Sequence, residues 1–101
     1  MRKEQEIIEW ATDKNIIGLE GKATRLSQFR KTAEEVNELL EAIDLKDVDL
    51  ARDAIGDIYV TIVLQARLWG LTMTECVDAA YDEIKDRKGV MIDGVFVKDQ
   101  S

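Results

Sequence analysis

The sequence predicts an all-α protein, a four-helix, bundle-like fold with a short C-terminal hairpin. Three observations carry this. No proline occurs among the 101 residues, so nothing interrupts long periodic segments. Hydrophobic residues make up 46% and charged residues 35% of the chain, a balance that suits helices with one buried and one solvated side. Apolar residues also recur three and four apart, the period of a helix face. The length fits one domain spanning residues 1–101. It lies near the size at which association of copies adds needed buried surface, so a homodimer or homotetramer is expected.

The first helix is predicted from about Lys3 to Asn15, with Ile7, Ile8 and Ala11 on one side. It closes in the glycine-bearing stretch from Gly18 to Gly21. The second runs from about Thr24 to Asp44, where Leu26, Phe29, Ala33, Val36, Leu40 and Ile43 alternate three and four apart. That is a packing seam of coiled-coil type. A short Leu45-Lys46 turn leads to Asp47, a good N-cap for a third helix from about Val48 to Trp69. Its second half is apolar nearly all round, which suits a helix enclosed by its neighbours, and Gly70 can end it in a left-handed conformation. Thr72-Met73-Thr74-Glu75 is a capping box opening a fourth helix, which carries Met73, Val77, Ala80 and Ile84 on one face and ends in Arg87 and Lys88. Asp93-Gly94 between two short apolar runs reads as a tight hairpin turn.

Composition narrows the chemistry. Fourteen basic against 21 acidic residues give a net charge of −7 with no histidine, which argues against electrostatic binding to nucleic acid or an anionic membrane. A lone Cys76 without histidine leaves only hard oxygen ligands for a metal, pointing to magnesium or manganese rather than zinc. No apolar run approaches the roughly 18 residues of a spanning helix, and the charged opening Arg2-Lys3-Glu4 is unlike a signal peptide. A cytoplasmic protein is expected.

Within that frame, the carboxylates of the second and third helices stand out. Glu34, Glu35 and Glu38 are three and four apart and share a polar stripe with Gln28 and Lys31, while Asp53 and Asp57 project from one side of the third helix. Glu-Glu-x-x-Glu alone also fits a solvated helix face. Asp57 does not, because from Ile55 to Leu71 the only charged residues are Asp57 and Arg67. A carboxylate withdrawn from water costs several kcal/mol, roughly, unless a cation or hydrogen bonds compensate. A divalent ion shared with the glutamates would compensate. Gly56 costs about 1 kcal/mol relative to alanine inside a helix, and its missing side chain would admit a neighbouring helix or a substrate.

Glu34-Glu35-Val36-Asn37-Glu38 followed by Ala54-Ile55-Gly56-Asp57 resembles the EExxE and ExxD signature of the all-α nucleoside triphosphate pyrophosphohydrolases of MazG type. The resemblance runs from about Ile7 to Val97, and the ending from Tyr81 onward is similar to short phage and mobile-element members. One position departs: Ala54 stands where the family has the glutamate of ExxD, and the nearest carboxylate is Asp53.

What the resemblance implies is magnesium-dependent hydrolysis of a (deoxy)nucleoside triphosphate to monophosphate and pyrophosphate, by attack of water at the α-phosphorus. It implies Glu35, Glu38 and Asp57 as metal ligands and Asp53 as a substitute ligand. Glu34 would be a further ligand or would, with Glu38, serve the attacking water. Lys31 on the carboxylate stripe and Lys85, Arg87 and Lys88 at the end of the fourth helix would contact phosphates. Cations in a helix's last turn are also favoured by its dipole alone. The site would lie where the second, third and fourth helices meet. Trp10 is the preferred base-stacking residue, with Gln28 as the other base-binding candidate; Trp69 reads as core. Against the enzyme stand a non-catalytic helical interaction module, for which Ala54 is the main support, and a nucleotide sensor that binds without turnover.

Overall fold

A computed structural model describes residues 2–99. Four helices follow one another, α1 (Arg2–Asp13), α2 (Arg25–Leu45), α3 (Val48–Leu68) and α4 (Met73–Ile84). An antiparallel hairpin follows, β1 (Gly89–Ile92) with β2 (Val95–Lys98). The fold is mainly helical, with the short C-terminal hairpin in place.

The boundaries have local chemical causes. Thr24 caps α2 reciprocally with Ser27: each backbone N–H donates to the other's hydroxyl at 2.9 Å. Asp47 caps α3 by accepting from the N–H groups of Asp49 and Leu50. Thr72 and Glu75 form the capping box that opens α4. α3 gives way at Trp69 and Gly70, the latter at φ 75°, where a β-carbon would be strained. α4 ends at Ile84, short of the Arg87 and Lys88 end expected from sequence. In the hairpin, Asp93 and Gly94 both have positive φ, 50° and 81°, as a type I′ turn requires.

α2 and α3 form an antiparallel pair. Lys46 in the left-handed conformation and the Asp47 cap reverse the chain within two residues. The Thr32 hydroxyl donates to Thr61 Oγ1 at 2.8 Å. At the far end the Arg25 guanidinium donates to the Leu68 carbonyl and lies 3.7 Å over the Trp69 ring. These contacts fix which residues face each other, and so set Asp57 level with Glu35. α1 closes the core over α3: Ile8, Ala11 and Ile17 pack with Val63, Leu64, Ala66 and Met73. Glu4, though buried, accepts from the Met73 N–H at 2.7 Å, so α1 also holds the start of α4, where the helix dipole favours a carboxylate.

Two packing expectations need correction. The α2 seam does not face α3; the pair closes instead through Thr32, Glu35 and Ala42 on α2 and through Ala54 and Thr61 on α3. Leu26, Phe29, Val36, Leu40 and Ile43 all remain exposed. Nor is α3 enclosed, since Ile55, Ile62 and Trp69 face outward. The reason is that α1 and α2 cover only part of its circumference, while α4 departs at 100°. No single described helix is long and apolar enough to cross a membrane.

Candidate active site

Three carboxylates converge at the middle of the helical pair. One oxygen each from Glu35, Glu38 and Asp57 lies within 4.8 Å of the others. Glu35 and Glu38 meet because residues three apart share a helix face; Asp57 joins them through the α2–α3 register. Glu35 is 5% exposed. Its Oε1 lies 3.8 Å from Lys31 Nζ, at the outer limit of an ion pair, and its Oε2 is buried without a hydrogen-bond partner. Burial, reinforced by the carboxylates of Glu38 and Asp57, raises the Glu35 pKa above the usual range, with Lys31 opposing the shift. Among the described residues this buried oxygen has no donor and only the Lys31 ammonium, 3.8 Å from Oε1, offsets the cluster's negative charge, an arrangement that fits a divalent cation with hard oxygen ligands.

Beside the cluster opens a cavity of about 490 Å³ lined by α1, α2, α3 and the loop after α1, a size suited to a small-molecule ligand. Trp10 and Ile16 form one wall; Gln28, Lys31, Glu34 and Glu35 come from α2, and Asp57, Val60 and Leu64 from α3. Asp57 also lines a second groove with Asp53 and Gly56, and a depression with Lys3, Ile7 and Trp10. It stands where all three meet.

The remaining sequence-predicted residues fall in different places. Glu34 is at the cavity rim, paired with Lys31 at 3.8 Å. Asp53 is exposed, outside the three-carboxylate cluster, one helical turn from Asp57 along the second groove. Ala54 is fully buried on the α3 face that also carries Thr61, so this position serves helix packing. Gly56 has no neighbour within 4 Å of where a β-carbon would sit; no helix of the same chain uses the space. α4 does not line the cavity. Lys85 and Arg87 instead pair locally with Asp82 and Glu83, and Lys88 is exposed beyond the helix end. α1 takes the place expected of α4, because the Ile8 and Ala11 side packs on α3 and carries Trp10 to the opening.

Sequence reading missed Arg30 and Ser27, which also line the cavity. The signal was present: Ser27, Lys31 and Glu34 share a helical stripe, and Arg30 is three from Ser27 and four from Glu34. Glu4 stands in the charged opening of the chain, and nothing local marks it as buried.

Fold and site together define an all-α protein whose carboxylate cluster is consistent with divalent-cation binding, beside a ligand-sized cavity. Residues 23–91 match the MazG nucleotide pyrophosphohydrolase domain, and the chain belongs to that family. It is also 33% identical over 63 residues to an uncharacterized 18.2 kDa protein from the rep-hol intergenic region of Haemophilus phage HP1. That match covers 62% of this chain but 37% of the phage protein. No solved structure matches.

Proposed function

We propose that this chain hydrolyses (deoxy)nucleoside triphosphates to monophosphate and pyrophosphate, clearing non-standard or surplus nucleotides in the cytoplasm as a homodimer or homotetramer. The observation that carries the reading is the buried, unpartnered Glu35 oxygen beside Glu38 and Asp57, at the edge of a cavity that also presents basic side chains.

Glu35, Glu38 and Asp57 would hold a magnesium ion, with manganese as a substitute. A cation there would supply polarisation of the phosphoryl oxygens and neutralisation of the negative charge developing on them. Asp53, which lines the second groove with Asp57, would serve as the substitute ligand. Glu34, at the rim and exposed, orients the attacking water or accepts its proton, with Glu38 as the other group able to do so. Lys31 and Arg30 contact the phosphates from inside the cavity, offsetting the repulsion an acidic domain exerts on a polyanion. Lys85, Arg87 and Lys88 add to this when their segment is brought over a site. Trp10 stacks on the base, and Gln28 offers it a hydrogen-bonding amide.

The position of Asp53 outside the cluster favours a second reading, a sensor that keeps metal and triphosphate binding without turnover. Both are tested by pyrophosphate release from a panel of canonical and modified triphosphates, with magnesium and with chelator, for wild type and Glu38→Gln. Metal-dependent release lost in Glu38→Gln supports the enzyme. Absence of release from every substrate rejects it, and tight triphosphate binding in that case selects the sensor.

A further inference from the structure

Glu4 is a buried acid on a helix face that is otherwise apolar. It recurs with Ile8 and Ala11 at intervals of four and three residues, so the three share the inward side of α1. Ile8 and Ala11 pack with the apolar residues of α3. Glu4, 6% exposed, instead accepts from the Met73 N–H at 2.7 Å. Met73 is the first residue of α4, so its N–H has no partner within the helix, and the Thr72 hydroxyl is taken by the Glu75 N–H. A carboxylate withdrawn from water is costly even when hydrogen bonds compensate, and a leucine would fill the place without that cost. The acid supplies what apolar packing does not. Burial is non-directional, whereas a hydrogen bond weakens steeply with distance and angle.

What the bond fixes is the placement of α1. The C-terminal end of that helix is held by its loop, through bonds from the Ile16 N–H to the Ala11 carbonyl and from the Ala23 N–H to the Ile16 carbonyl. Toward the other end, the Glu4 to Met73 bond is, among the described residues, the one hydrogen bond between α1 and another helix. Trp10 stands about 100° round the helix from Ala11, where it is half-exposed and walls the cavity with Ile16. A rotation of α1 about its axis, or a slide along α3, would carry the indole away from that wall. Glu4 itself lines neither the cavity nor the two depressions that meet it at Asp57.

We infer that Glu4 is a positioning residue for the nucleotide: its bond to the Met73 N–H sets the rotation and advance of α1, and so holds Trp10 at the cavity wall. Stacking depends on ring offset and tilt, so a misplaced indole costs affinity even where the fold survives. The inference rests on the proposed reading for what Trp10 does. It adds to that reading a residue outside the cavity through which substrate binding is set.

Two substitutions in the full chain separate positioning from stability. Glu4→Gln keeps an oxygen able to accept from Met73, whereas Glu4→Leu keeps the volume and removes the acceptor. With magnesium and the triphosphate turned over fastest, Glu4→Leu should raise KM several-fold at unchanged kcat, and Glu4→Gln should stay near wild type. Trp10→Leu should raise KM at least as much, and adding Glu4→Leu to it should raise KM no further, the non-additivity of a residue that acts through another. Without ligand, the α1 amides should exchange hydrogen several-fold faster in Glu4→Leu than in wild type or Glu4→Gln, with α2 and α3 unchanged. Acrylamide quenching of Trp10, read in a Trp69→Phe background, should rise in parallel. Glu4→Asp withdraws the acceptor by one methylene and carries the same expectations, which keeps the test decisive if Glu4→Leu fails to fold. An unchanged KM, additive effects with Trp10→Leu, Glu4→Gln as impaired as Glu4→Leu, or α1 amides exchanging at the wild-type rate would each overturn the inference. A wild type that turns over no triphosphate would reject the proposed function instead, and the exchange and quenching comparison would then decide whether Glu4 places Trp10.

Discussion

The two sides of the α2–α3 pair fail, as an isolated chain, in opposite ways. One buries a carboxylate oxygen that nothing among the described residues satisfies; the other leaves a heptad of large apolar side chains in water. By contrast the helix starts of α2, α3 and α4 are capped, the Thr32 and Thr61 hydroxyls are paired, and even buried Glu4 finds a backbone donor. The two sides therefore differ in what they lack: a counter-charge on the acidic side, where the carboxylates are consistent with a divalent cation, and cover on the apolar side.

The largest test of that contrast is removal of a ligand. Glu38→Gln or Asp57→Asn should lower magnesium-dependent pyrophosphate release by at least about 100-fold, the upper range for losing even an outer-shell partner of a metal site. Circular dichroism should show the helices retained. Ile55→Ser, two residues from Asp57 but across the helix, should leave magnesium affinity unchanged by calorimetry; a parallel loss of affinity would break the separation of the two sides.

Behind the cluster, Thr61→Val removes the hydroxyl that accepts from Thr32 and donates to the Ile58 carbonyl. It should cost about 1 kcal/mol, read as a fall in Tm of about 4–8 °C. Gly56→Ala should act in the other sense and somewhat more weakly. A β-carbon there meets nothing within 4 Å, so helix propensity alone should add up to about 1 kcal/mol. KM for the triphosphate should rise if substrate lies against that groove. An unchanged KM would mean that the space beside Asp57 is not used.

The smallest effect is a pH trend in the metal-free protein. Because burial raises the Glu35 pKa, folding favours its protonated form. Its contribution to stability is fully present below the unfolded value, taken as 4.5, and is lost as pH rises through the higher folded value. In chelator, Tm of wild type relative to Glu35→Gln should therefore decline with rising pH above 4.5. Magnesium should remove the decline. A flat difference in chelator would show that Glu35 is solvated like any surface carboxylate.

What the sequence made legible is what depends on near neighbours. Asp47, Thr72 with Glu75, and Asp93-Gly94 each announce a cap or turn through chemistry within four residues, and the structure places them so. The meeting of Glu35, Glu38 and Asp57 was readable because helical spacing sets the first pair and a short turn constrains the third. Longer-range facts were not. The a/d seam says that α2 packs on something, but the same pattern serves a neighbour in the chain or a helix of another copy. That α1 rather than α4 walls the cavity depends on the Ile8 and Ala11 contact with α3 and on the bend between α3 and α4. Neither leaves a local trace. Ala54 shows both limits: the family pattern identifies the departure, and only the fold shows the position buried in helix packing.

The central claim is that the acidic side directs water to the α-phosphorus of a nucleoside triphosphate. Turnover in ¹⁸O-labelled water with magnesium, followed by mass spectrometry of the products, tests it most directly. The account predicts one labelled oxygen in the nucleoside monophosphate and none in the pyrophosphate. Label in pyrophosphate or orthophosphate, or no magnesium-dependent turnover of any triphosphate, would contradict it.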